Sequence, residues 1–418
     1  MSLETFDTKG NRIKMKTIRN LYKIGFGPSS SHTMGPEKAS QRFISLYPDA
    51  DSYRVILYGS LALTGKGHQT DAAIERVFEG RSIEIVFNVE DYDIPHENTM
   101  DFIAFKDGEE LARRRIMSIG GGDILEEGET AKEIPDVFPE NTFTEIAEYC
   151  KKKDIRLSEY VYMHEDKDIK KFLYEVWQVM QDEIHSGLTT TGILPGGLGV
   201  QRVAQLLHQR RHIDELPETR ENRTVCAYAF AAAEHNAACG RIVTAPTCGA
   251  CAVLPAVLKY MQEKKGFSDK RVIDALAVAG LVGSVVKQNA SVSGAECGCQ
   301  AEIGTACSMA AAALCELFEM GIDQIEYAAE MSLEHMLGLT CDPVCGLVQI
   351  PCIERNAVAA MRAINALSLA NFLMGTRKIS FDMVVRTMYE TGKDMNARYR
   401  ETSEGGLAKT YSHGLPNC

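Results

Sequence analysis

The sequence predicts an α+β protein in two parts, an N-terminal α/β domain followed by an all-helical domain. Three observations carry that expectation. Up to residue 125, strand-like and helix-like segments alternate. A break in composition follows. From about Glu159 onward, Ala, Leu, Met and Val recur at helical spacing with almost no strand-like run.

In the first part, Tyr53–Leu63 (YRVILYGSLAL) and Ser82–Asn88 (SIEIVFN) are rich in β-branched and aromatic residues and read as strands. Met100–Phe105 and Arg115–Ile119 are weaker strand candidates. Glu37–Tyr47 and Thr70–Phe78 read as helices, the second capped by Thr70 or Asp71. Glu126–Lys153 is acidic, then lysine-rich, with no clear strand, and reads as a linker. Helices are expected over 172–185, 200–209, 224–239, 253–264, 275–287, 301–320, 322–337, 353–371 and 380–396. The domain boundaries expected from this pattern are 14–150 and 160–418, with no internal repeat.

The chain has 418 residues and a formal charge of −12. That acidity argues against a nucleic-acid partner or a polybasic membrane-surface protein. The longest apolar run, Ala275–Val286, is too short to span a bilayer and reads as a buried helix, so no membrane partner is expected. Met1–Lys16 has no apolar core, so no secretory signal is expected. Thirteen cysteines are present, and only Cys150 precedes residue 200. In a large acidic chain this points to the cytoplasm, where thiols stay reduced and clustered cysteines more often serve a metal or catalysis. Methionine and alanine clustered on the helices would suit a homodimer interface.

Four segments carry candidate chemistry. Gly27–Pro36 (GPSSSHTMGP) places Ser30, Ser31, His32 and Thr33 just before a helix. Backbone N–H groups at a helix start, with hydroxyls, suit a carboxylate or phosphate. His32 would be a base or a carboxylate partner, and a capped surface turn is the plainer alternative. Gly59–Asp71 (GSLALTGKGHQTD) fails as a P-loop, because Gly67 stands where a Ser or Thr would hold magnesium. It reads instead as a glycine-rich loop presenting Lys66 and His68. His96-Glu97-Asn98 and Ser118–Gly122 (SIGGG) are weaker signals.

The cysteines fall at Cys248-x2-Cys251, Cys297-x-Cys299, Cys307, Cys315, Cys341-x3-Cys345, Cys352 and Cys418. Cys307 and Cys315 sit in an alanine-rich helix and read as small core residues, as do Cys226 and Cys239. Cys341 and Cys352 flank the irregular segment CDPVCGLVQIPC, where backbone can wrap a ligand. A zinc site and an iron–sulfur cluster both remain open on spacing alone.

GPSSSHTMGP, YGSLALTGKGHQTD and SIGGG resemble the small domain of the iron–sulfur L-serine dehydratases (L-serine ammonia-lyases). GGLGVQRVAQLL, GRIVTAPT, SGAECGCQAEIGTACSMAAAAL and GLTCDPVCGLVQIPCIERNAVAAMRAINA resemble their catalytic domain, in the order of the fused single-chain form. The resemblance covers most of Ile18–Ala370. It implies conversion of L-serine to pyruvate and ammonia with a 4Fe–4S cluster and without pyridoxal phosphate. It also implies a small domain like the allosteric substrate-binding domain of phosphoglycerate dehydrogenase. Carried over by motif, the cluster thiolates are Cys299, Cys341 and Cys352, with Cys418 as a tail cysteine that reaches the active site. His32, His68, His96 and Asn98 match active-site positions. The chain departs from the family pattern at Cys248, Cys251, Cys297 and Cys345, where other residues are usual, and at His96-Glu97-Asn98, where HisProAsn is more common. The segment between residues 88 and 120 is also short.

On this reading an open iron binds the serine hydroxyl as a Lewis acid, and His68 takes the α-proton. His96, Asn98 and the Ser30–Thr33 loop hold the carboxylate. Two competing functions are β-elimination from L-cysteine or another β-substituted amino acid, and a cluster-based redox or iron sensor. Gly405–Cys418 (GGLAKTYSHGLPNC) has almost no helix-forming run and is expected to be irregular, with Cys418 plugging the site.

Overall fold

A computed structural model describes residues 14–90, 94–130, 134–210, 215–373 and 375–412. The chain runs β1 (Met15–Lys16), β2 (Ile24–Phe26), a π-helical turn (Ser30–Met34) and α1 (Gly35–Leu46). Next come β3 (Ser52–Tyr58), α2 (Gly59–Thr64), α3 (Thr70–Val77), β4 (Ser82–Asn88), β5 (Thr99–Lys106), β6 (Glu109–Gly120) and β7 (Asp123–Glu126). The sheet order is β4-β3-β5-β6-β7. β3 and β4 are parallel, joined through α2 and α3; the remaining pairs are antiparallel. Alternation sets the faces. Tyr53, Val55 and Leu57 point the same way as Met100, Phe102 and Ala104, and they bury against Ala39 and Phe43 of α1 and Ile74 of α3.

Two sequence expectations change here. Tyr53–Leu63 is a strand only to Tyr58, after which the chain turns into α2. The residue preceding α3 is Gln69, in a left-handed conformation. The Thr70 hydroxyl is not a cap, because it donates to the His32 carbonyl at 2.6 Å.

The expected linker is also ordered. It holds β8 (Asp136–Phe138), which pairs with β1, and α4 (Phe143–Lys153), opened by a Thr142–Glu145 capping box. Lys151–Lys153 occupy the last turn, where cations suit the helix dipole. Phe143, Ile146 and Cys150 are buried in the larger core.

That core is built by α5 (Leu157–His164), α6 (Ile169–Thr189), α7 (Ala204–Gln209), α8 (Pro217–Ala237), the short β9 (Arg241–Val243), α9 (Val253–Lys265) and α10 (Asp269–Asn289). α11 (Gly294–Cys297), a π-helical turn (Gln300–Gly304), α12 (Thr305–Leu317), α13 (Ile322–Glu334), α14 (Cys352–Phe372), α15 (Phe381–Asp394) and α16 (Gly406–Ser412) follow. All thirteen residues of α12 are buried. Its alanines let α9, α10, α13 and α14 approach closely around it. α10 is long and apolar enough to cross a membrane by composition, but Ala275–Val286 is buried throughout in this core. Of the tail expected to be irregular, Gly406–Ser412 form α16, whose Leu407 N–H donates to Asp342 Oδ2 at 2.7 Å, and residues 413–418 lie outside the described residues.

The two cores meet along a seam made before the first site loop. Ile18, Leu21 and Tyr22 lie in the helical core. β2 pairs antiparallel with β9, and the Thr244 hydroxyl donates to the Leu21 carbonyl at 2.7 Å. The Ser30–Thr33 loop therefore starts from a strand already anchored in the helical part.

Candidate active site

A cavity of about 410 Å³ opens at this seam. Its small-domain wall comes from Ser29, Ser30, Ser31, His68 and the Gly120–Gly121 hairpin tip. Its helical wall carries the thiols of Cys248, Cys299, Cys341 and Cys352. Residues far apart in the chain thus converge on one volume.

The π-helical turn orients the histidines. Ser29 Oγ accepts from the His32 N–H at 3.2 Å and caps it. His32 is fixed at both ring nitrogens, Nδ1 to Ser31 Oγ at 2.8 Å and Nε2 to Ser60 Oγ at 2.9 Å. Thr33 Oγ1 donates to the His68 carbonyl at 2.9 Å. His68 Nδ1 lies 3.1 Å from the Thr64 carbonyl. A carbonyl can only accept, so Nδ1 carries the proton and Nε2 keeps its lone pair. Burial lowers the pKa of His68. Burial, then the adjacent His68, lowers that of His32 to about 3, against the Ser60 contact. Both rings are neutral at pH 7.

The other expected small-domain residues do not line the cavity. His96 Nδ1 accepts from the Asn98 N–H at 3.0 Å, closing a turn, and Asn98 Nδ2 donates to the Ser118 carbonyl at 3.4 Å. The Glu97 carbonyl of that turn receives the Ser60 N–H at 2.8 Å, so His96 and Asn98 stand behind Ser60. The Lys66 ammonium lies 5.3 Å from the Phe87 ring centre. His32 and Thr33 back His68 rather than face the cavity.

On the helical side, Cys299 opens the π-helical turn, Cys341 bridges to Arg400, and Cys352 begins α14. Gly294 permits their convergence. A Cβ there would lie 2.6 Å from Glu302 Oε2 and 3.1 Å from Cys341 Sγ. Cys341 hydrogen-bonds Cys299, and this contact, aided by the Arg355 guanidinium, holds Cys299 toward thiolate. Cys341 is pushed up by the same bond and by burial, and Cys352 by burial. Arg355, anchored on the Thr340 carbonyl at 2.9 Å, acts on all three thiols. Glu302 accepts from Thr247 Oγ1 at 2.6 Å, and burial raises its pKa. Glu401 is pushed up to about 8 by burial, then by Glu302 and Cys299.

Among the described residues, no group of three His, Cys, Asp or Glu converges on one point closely enough for a single metal ion. A cubane cluster presents its irons at separate corners, so its thiolates surround a volume instead. Cys299, Cys341 and Cys352 on one cavity wall, with Arg355 to balance their charge, fit that donor pattern. Cys418 lies outside the described residues. Cys248 shares the cavity, whereas Cys251 and Cys297 do not line it. Cys307 and Cys315 are core residues as expected; Cys226 and Cys239, also read as core, are partly exposed.

Sequence reasoning missed Glu302, Arg355, Glu401, Lys23 and Lys287. A charged residue three after Cys352 was a usable signal for Arg355. Lys287, closing a long apolar run, was one for itself.

The family model for the serine dehydratase beta chain matches residues 17–86, and that for the alpha chain matches residues 104–408. L-serine dehydratase 1 of Escherichia coli (strain K12) is 41% identical over 450 aligned positions, covering 94% of this chain and 99% of the relative. L-serine dehydratase of Haemophilus influenzae is 40% identical, covering 94% and 99%. That of Helicobacter pylori is 37% identical, covering 94% and 98%.

Proposed function

The chain belongs to the serine dehydratase family, and we propose that it deaminates L-serine to pyruvate and ammonia in the seam cavity, using a 4Fe–4S cluster and no pyridoxal phosphate. The observation that carries this reading is the meeting of His68, the serine loop and three thiols around one cavity.

Cys299, Cys341 and Cys352 would hold the cluster. When bound, it supplies a Lewis-acidic iron for the substrate hydroxyl, a poor leaving group. Ser30 and Ser31 bind the substrate carboxylate through hydroxyls and backbone N–H groups at the helix start. His68 Nε2 takes the α-proton, its ring held by the Nδ1–Thr64 bond. His32 packs behind it and keeps the base oriented. Loss of water leaves aminoacrylate, which tautomerises and hydrolyses to pyruvate and ammonia after release. A cytoplasmic setting would keep the thiols reduced.

Anaerobically purified, reconstituted protein is expected to hold about four irons per chain and to form pyruvate from L-serine. Turnover of L-cysteine with sulfide release, and none of L-serine, would move the activity to thiol elimination. Iron without turnover of either would favour a sensor. Full activity in a zinc-only protein would overturn the cluster.

A further inference from the structure

We propose that Lys287 is a substrate-binding residue that pairs with the substrate's carboxylate, at the end of the cavity away from the thiols. The proposal rests on the amino-acid lyase reading above and deepens it.

Lys287 stands in the last turn of α10 and lines the same cavity as His68 and the thiols. Its ammonium donates to the Asn20 carbonyl at 2.9 Å, a neutral acceptor. Among the described residues, no carboxylate forms an ion pair with it. Lys23 and Asp123 are the charged neighbours that act on it. Asp123 is already engaged by Lys23 at 3.5 Å and Lys38 at 3.1 Å. Among the described residues, Lys23 and Lys38 thus take up Asp123, and Lys287 is left without a carboxylate of its own at this end.

The position within the cavity follows from the hairpin. Asp123 follows Gly122, and a Cβ on Gly122 would lie 3.8 Å from the Ser30 carbonyl. The lysine end is thus the serine-loop end. A ligand with a carboxylate there, and a hydroxyl reaching toward Cys299, Cys341 and Cys352, spans the cavity in one orientation. A partly buried ammonium lacking a counter-ion is unfavourable until an anion arrives. Burial and Lys23 lower its pKa to about 8 against Asp123, which still leaves most of it protonated at pH 7. The serine loop then supplies hydroxyl and N–H donors to the same carboxylate, and Lys287 supplies the charge.

The test compares Lys287→Met and Lys287→Arg with wild type in anaerobic holoenzyme. Lys287→Met is expected to raise KM for L-serine by about 10- to 100-fold, the cost of losing a charged hydrogen bond, with kcat little changed. Lys287→Arg is expected to recover most of that loss. Calorimetric titration with L-alanine and L-alaninamide, which lack the β-hydroxyl leaving group, gives a readout independent of turnover. Wild type is expected to favour the carboxylate over the amide, and Lys287→Met to lose that preference. Equal weakening of both ligands would show a structural role and overturn the assignment. A fall in kcat with KM unchanged, not rescued by Arg, would make Lys287 a base and also overturn it. Failure of wild type to form pyruvate would defeat the dehydratase reading, while the titrations still decide the role of Lys287.

Discussion

The imidazole rings of His32 and His68 lie 4.6 Å apart, centroid to centroid, inclined by 36°. Two cations that close would repel, and burial already disfavours either charge. Only His68 lines the cavity; His32, bonded to Ser31 and Ser60, supports it. His68→Ala is therefore expected to lower kcat by about 100-fold or more while leaving the cluster spectrum intact. His32→Ala is expected to cost less. Because the His68 pKa is lowered from 6.5, its basic form persists as pH falls through 6.5, and kcat should decline only below that value. A larger kcat loss in His96→Ala, with His68→Ala changing only KM, would reverse the assignment.

Serine in place of Cys299, Cys341 or Cys352 is expected to remove the cluster in each case. Serine at Cys251 or Cys297, outside the cavity, should leave iron content near wild type. Cys248 is the informative position, since it shares the cavity without belonging to the motif-derived ligand set. Retention of iron in Cys248→Ser is expected; loss would add Cys248 to the ligands. Iron and sulfide analysis of purified variants settles each case.

Gly294→Ala should act on the site more than on the fold. The new methyl would lie 2.6 Å from Glu302 Oε2 and 3.1 Å from Cys341 Sγ. Overpacking of this kind typically costs about 1–3 kcal/mol. Iron per chain and serine turnover should both fall severalfold, with a modest drop in apoprotein Tm. Wild-type iron and activity in this variant would contradict the close packing described for Cys341.

Stability should fall toward alkaline pH through Glu330 of α13. Its pKa is raised from 4.5 to about 8, first by burial, then by Glu334, against Arg377. Between those values the folded state keeps a proton that the unfolded chain has lost, so stability declines as pH rises from about 4.5 to 8. Below 4.5 the contribution is complete. Glu330→Gln removes this titration. Its Tm should fall less than that of wild type between pH 5 and pH 8.5; parallel curves would dismiss Glu330 as the source.

Local pattern was enough for much of the fold. Ser82–Asn88 is a strand over the residues expected, and helices occupy every helical stretch read beyond residue 169, because period and composition report local backbone preference. Where charge masked the pattern, reading failed. The acidic and lysine-rich surface around α4 concealed Phe143, Ile146 and Cys150, whose spacing puts one face of that helix in the core. For the site, GPSSSHT, the histidine between glycines and the cysteine strings declared their chemistry in the linear sequence, and resemblance supplied a family. Side-chain direction was not legible there. Pairing of β2 with β9 brings the serine loop to the helical part, the Glu97–Ser60 contact sets His96 and Asn98 back from the cavity, and α10 carries Lys287 to the cavity wall. Sequence alone thus determined which chemical groups were at hand and most of the segments that carry them. Only tertiary packing decided which of them face one another, because contacts between residues hundreds of positions apart depend on how whole elements dock.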